Sequence, residues 1–130
     1  MNVAIVGAGF IGSKRASSLG ENDKLVMVCD IKESAAKELS RKYHATFTDE
    51  YQQVANNSVI DVAFISIINK FAAPISIDML KSGKHVLCEK PLGRNLEESF
   101  QILKAAKESG NILKTGFNHR FHGAIMKAKE

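Results

Sequence analysis

Short apolar runs alternate along the chain with longer stretches in which apolar residues recur every three or four positions. The runs read as strands buried on both faces, the stretches as helices with one inward face. The first strand is Asn2–Val6. A helix is expected from about Phe10 to Leu19, with Gly12, Ala16 and Leu19 on one side and Gly20 as its stop. A second strand covers Leu25–Asp30. A helix over Lys32–Tyr43 turns Ala35, Ala36, Leu39 and Tyr43 inward. A short strand at Ala45–Thr48 and a short helix from Asp49 to about Asn56 complete the first half.

The second half repeats the alternation after the turn Asn56-Asn57-Ser58. Its first strand is Val59–Ile67, interrupted by Asp61. A helix follows from about Ala73, with Pro74 in its first turn, where the missing N–H costs nothing, and it ends at Ser82-Gly83. His85–Cys88 is the fifth strand. Asn95 and Glu98 have the spacing of a capping box for the helix Leu96–Ser109, which Gly110 ends. Ile112–Phe117 is the sixth strand, and the chain turns helical again from about Phe121. Two β-α-β-α-β halves with right-handed crossovers make a doubly wound, mostly parallel six-stranded α/β sheet, the Rossmann fold, in strand order 3-2-1-4-5-6. Such a sheet takes its ligand across the carboxyl ends of the strands.

Composition narrows the picture little. A chain of 130 residues with 45% apolar and 25% charged residues is one ordinary globular domain. The N-terminal run lacks a basic flank and is broken by glycines, and no apolar run spans a bilayer, so a signal peptide and a membrane partner are not expected. Cys29 and Cys88 lie in strand-like runs and read as buried free thiols of a cytoplasmic protein. The net charge of +4 is scattered among acidic residues with no basic block. That pattern argues against nucleic acid and suits an anionic small molecule.

The chemistry starts where the first strand ends. Gly7-Ala8-Gly9-Phe10-Ile11-Gly12 is G-x-G-x-x-G between a strand and a helix, and Asp30 closes the next strand 18 residues later. Gly7 permits the tight turn, Gly9 lets the backbone approach a pyrophosphate, and Gly12 lets helix and strand pack closely. The diphosphate would lie over the N–H groups of Phe10, Ile11 and Gly12. Asp30 would accept hydrogen bonds from the adenosine ribose. Alternatively, Asp30 and Glu33 form a capping box for the next helix. Asp30 favours NAD, because its carboxylate repels a 2′-phosphate; Lys32, two residues on, offsets part of that repulsion, so NADP stays open.

Gly83-Lys84-His85-Val86-Leu87-Cys88-Glu89-Lys90-Pro91-Leu92 and Gly116-Phe117-Asn118-His119-Arg120-Phe121 resemble two signature segments of the Gfo/Idh/MocA oxidoreductases. The resemblance covers nearly the whole chain. It implies an NAD(P)-binding domain over residues 1–120 and, over 121–130, the start of a connection to a C-terminal substrate domain. The chain is expected to be a cofactor domain separated from that partner, binding cofactor without turnover alone. The implied reaction transfers hydride between NAD(P) and a sugar, cyclitol or related polyol, held mainly by the second domain, in an enzyme that is a homo-oligomer. Lys90 is the implied catalytic residue: its ammonium hydrogen-bonds the substrate hydroxyl, stabilises alkoxide charge or relays the proton. Glu89 would hold the cofactor or orient Lys90, and the Lys90–Pro91 bond is a candidate for cis. Ile67, Asn69 and Asn118 complete the implied cofactor contacts. One segment departs from the family pattern of Thr or Ser, Pro, Asn, two variable residues and His: here Ile68 holds the Pro position and Ala72 the His position. His44 and His85 read as packing or surface residues, and His119 and His122 as cleft candidates with no metal spacing. The alternative function is a non-catalytic NAD(P)-sensing member of the same family, against which an intact Glu89-Lys90-Pro91 argues.

Overall fold

The structure is a computed structural model describing residues 1–130. Six parallel strands form one sheet in the order β3-β2-β1-β4-β5-β6. In chain order the elements are β1 (Asn2–Val6), α1 (Phe10–Ala16), β2 (Lys24–Cys29), α2 (Glu33–Lys42), β3 (Thr46–Thr48), α3 (Tyr51–Asn56), β4 (Val62–Ile65), α4 (Asn69–Lys81), β5 (His85–Cys88), α5 (Leu96–Ser109), β6 (Leu113–Thr115), a 3₁₀ turn (Asn118–Phe121) and α6 (Gly123–Lys127).

The side-chain period of two divides the core into two layers. Ala4 and Val6 of β1, Ala63 and Ile65 of β4, and Val86 and Cys88 of β5 pack with Val54, Ala72, Ala73, Met79, Leu80, Ile102 and Ala105 from α3, α4 and α5. Ile5 points to the other face, where it meets Ala8, Ala16, Leu25, Val28, Ala36 and Leu39, under α1 and α2. Burying each of the larger side chains stabilises the fold by about 1.5–3 kcal/mol.

Several element ends differ from the pattern-based expectation, each for a local reason. α1 stops three residues before Leu19. The hydroxyls of Ser17 and Ser18 donate to the carbonyls of Lys14 and Arg15, both at 2.9 Å, and close the last turn. β4 is shorter than Val59–Ile67. At its start the Asp61 carboxylate accepts the Asn2 N–H at 2.7 Å in place of a backbone carbonyl. α4 begins at Asn69, not near Ala73, so Pro74 lies inside the helix. Its ring removes one bond to the carbonyl of Lys70, which sits in the exposed first turn where water can replace it. β6 keeps only its centre: at its start the Ile112 N–H donates to Nδ1 of His85 at 3.1 Å, and at its end the Phe117 N–H turns back to the Thr115 carbonyl at 2.7 Å. The Asn95–Glu98 box forms by half. Asn95 accepts the Glu98 N–H at 2.9 Å, but the Glu98 carboxylate takes the Arg94 N–H at 2.8 Å, one residue early.

Candidate functional site

Because all six strands run the same way, their carboxyl ends share one edge, and the chain-reversing loops at that edge gather the residues singled out above. β1 lies between β2 and β4, the point where the two halves of the sheet diverge. The loop leaving it is therefore at the centre of the edge.

The three loop glycines meet different surroundings. Gly7 has φ of +101°, and its N–H donates to the Cys29 carbonyl at 2.7 Å. A Cβ there would strike the backbone of Ser66 after β4 and lie 2.8 Å from Cγ2 of Ile67. A Cβ on Gly12 would strike the Gly7 carbonyl oxygen and reach 3.2 Å from Ile5. Gly9 is unlike both. Its φ is −73°, and nothing lies within 4 Å of where its Cβ would stand. Nothing within the protein demands a glycine there; the open space suits a ligand whose atoms approach the backbone. Gly9 is also the N-cap of α1 and offers no side chain to the first-turn N–H groups of Phe10, Ile11 and Gly12, and that turn carries no acidic residue. Phe10 is 81% exposed and Ile11 is exposed beside it.

Asp30 follows β2 directly. One carboxylate oxygen accepts the Ala8 N–H from the glycine loop at 2.7 Å, and the other accepts the Lys32 N–H at 2.8 Å. The capping-box alternative does not form, since α2 is capped at Lys32 without a side-chain bond. Each oxygen keeps acceptor capacity for a further donor. The half-buried carboxylate thus stands against the loop, held by it.

On the far side of β1, Ser66 donates its N–H to the Val6 carbonyl at 2.8 Å. Ile67 packs half-buried beneath Gly7, and Asn69 lies exposed in the first turn of α4. After β5, Glu89 donates its N–H to the Ile65 carbonyl at 3.0 Å, and the Lys90–Pro91 bond is cis, as expected. Lys90 is exposed, and no carboxylate lies within ion-pair reach of it. Glu89 is not directed at Lys90. It pairs with Arg15 of α1, whose Nε donates to it at 2.6 Å, while Nη2 of Arg15 donates to Oδ1 of Asn118 at 2.9 Å.

Arg15 is the site residue that sequence reasoning passed over. Its only signal was position, three residues beyond the last motif glycine in the last turn of α1. The histidines divide as expected in part. His85 is a backbone acceptor in the sheet, while His119 and His122 are exposed after β6. No group of three His, Cys, Asp or Glu side chains is arranged to hold a metal ion. No helix is long and apolar enough to cross a membrane.

A family model described as "Oxidoreductase family, NAD-binding Rossmann fold" matches residues 1–117. The chain is 31% identical to a myo-inositol 2-dehydrogenase of Thermotoga maritima, over the whole chain and 40% of that protein. It is 34% identical to a D-glucoside 3-dehydrogenase of Escherichia coli, over 93% of the chain and 36% of that protein. It superposes with a TM-score of 0.95 on GenD2 from gentamicin A biosynthesis, solved in complex with NAD, at 26% identity over 98% of this chain and 37% of that one. The chain therefore spans about two fifths of the length of the relatives it matches.

Proposed function

The chain belongs to the Gfo/Idh/MocA oxidoreductase family, with its NAD-binding Rossmann fold, and from that premise we propose that residues 1–120 hold NAD at the strand-end edge for hydride transfer to or from a sugar, cyclitol or related polyol. The two relatives named above act on an inositol and a glucoside, which supports that substrate class. The observation that carries the reading is Gly9, whose missing side chain is required by nothing in the protein.

When bound, the dinucleotide supplies the hydride acceptor. The chain's own residues do the rest. The N–H groups of Phe10, Ile11 and Gly12 face the diphosphate, with Gly9 giving clearance. Asp30, steadied by Ala8 and Lys32, accepts from the ribose hydroxyls. Ile67 and Asn69 line the loop after β4, and Glu89 and Asn118 border the far end. Lys90 would donate a hydrogen bond to the substrate oxygen and stabilise the alkoxide charge that develops there as the hydroxyl proton passes to solvent, which an unpaired ammonium is free to do. Titration calorimetry of the chain with NAD and with NADP tests this. Binding of NAD is expected, tighter than NADP because a 2′-phosphate meets the Asp30 carboxylate; absence of heat with both, from a folded sample, overturns the reading.

A further inference from the structure

Arg15, Glu89, Asn118 and Gly116 form one assembly drawn from three separate parts of the chain. Arg15 comes from α1 in the first half, Glu89 from the end of β5, and Asn118 from the 3₁₀ turn after β6. The guanidinium crosses the edge to make an ion pair with Glu89 and a hydrogen bond with Asn118. Both charged side chains are largely buried, 17% and 15% exposed. Gly116 makes room for them: a Cβ there would lie 2.5 Å from Oε2 of Glu89 and 2.8 Å from Nη2 of Arg15. The glycine thus has a reason beyond backbone freedom, since its φ lies outside the left-handed region.

We propose that Arg15 is a positioning residue for Lys90. It rests on the reading of Lys90 given above and deepens it. Glu89 and Lys90 are neighbours in sequence at the end of one strand. Without Arg15, Glu89 would be a largely buried, uncompensated carboxylate whose nearest covalently linked cation is Lys90. A pairing between those two would draw the ammonium back toward the sheet and away from a substrate hydroxyl. Arg15 occupies the carboxylate, so Lys90 stays exposed and unpaired. The same guanidinium holds Asn118, so one residue of the first half ties together the ends of β5 and β6.

The test follows the Lys90 side chain itself. In the 130-residue chain, lysines are reductively ¹³C-dimethylated, and the Lys90 NMR signal is assigned by its loss in Lys90→Arg. Its position is then followed from pH 7 to pH 3 in wild type, Arg15→Met, Glu89→Gln, Arg15→Met/Glu89→Gln and Gly116→Ala. Wild type and Glu89→Gln are expected to trace the same curve. Arg15→Met is expected to gain an inflection within that pH range that disappears in the double variant. Gly116→Ala, which displaces the pair while leaving every charge in place, is expected to gain it too. An Arg15→Met curve that matches wild type overturns the proposal, as does a Glu89→Gln curve that departs from wild type as far as Arg15→Met does. If Arg15→Met does not fold, Gly116→Ala and Glu89→Gln decide by the same comparison. No cofactor is present in these samples, so failure of NAD binding would sink the proposed function and leave this result standing.

Discussion

Gly7, Gly9 and Gly12 belong to one motif and answer to three different constraints. Gly7 is held by a left-handed φ and by the Ser66 backbone, Gly12 by the Gly7 carbonyl, and Gly9 by nothing inside the protein. Gly9→Ala is therefore expected to leave the thermal midpoint within the range of a neutral surface change, about 0.5 kcal/mol, while weakening NAD binding tenfold or more. Gly12→Ala is expected to lower the midpoint clearly, because the helix must move off the strand. Calorimetry and thermal melts of both variants check the contrast; equal loss of stability would remove the distinction. The cysteines give a second residue-scale expectation. Burial, with Asp30 and Asp49 adding, pushes the Cys29 thiol up to about 11, and burial raises Cys88 as well. Both thiols should resist a disulfide reagent at pH 8 until the protein unfolds; rapid reaction of either in the folded state would contradict their placement. The motif glycines and Asp30 could be singled out because a fixed spacing along the chain marks them, three glycines between a strand and a helix and an acidic residue closing the next strand. Arg15 could not be, because its partners lie 74 and 103 residues away, and nothing local marks a long-range ion pair.

Helix ends decide how well each element's limits could be read. α5 announced itself: Asn95 caps it and Gly110 ends it in the left-handed region. Asn95→Ala should cost about 1 kcal/mol of stability, measurable by urea unfolding; no change would show that the cap bond contributes nothing. At the same end, the hydrogen bond from Arg94 holds the Glu98 carboxyl below its ordinary value. A depressed folded-state value means that the unfolded chain binds the proton more readily. That contribution is present above the usual carboxylate range and fades as pH falls through it. Glu98→Gln should therefore flatten the acid side of the stability profile. α2 hid its end. It closes with His44 at φ 54°, the Ala45 N–H bonded to the Ser40 carbonyl at 2.9 Å and the His44 N–H to that of Arg41 at 3.4 Å. This is the closing motif that glycine usually supplies. His44→Gly should raise stability by about 0.5–1 kcal/mol, because glycine enters that conformation without the Cβ penalty. α4 was misplaced because Pro74 favours a first-turn position, and burial of Ala72, Ala73 and Ser76 outweighed that preference.

For the molecule as a whole, the strand order was legible because continuous apolar runs alternating with helices allow few layered arrangements, and the handedness rule removes most of those. The loop after β4 was less so, since Ile68 and Ala72 depart from the family pattern and the structure shows only that Asn69 opens α4. A ligand bound only by the folded state stabilises it by mass action. NAD at 100 times its dissociation constant should add about 2.7 kcal/mol, and NADP at the same concentration less. Equal shifts would show that Asp30 does not discriminate. Finally, the outermost strands of the sheet, β3 and β6, each comprise three residues, and β6 sets an exposed lysine at its middle. An unfinished sheet margin is where chains zip together into fibrils. Margins this brief, one of them charged, give an incoming strand little to grip, so concentrated solutions of this chain should resist amyloid-like growth.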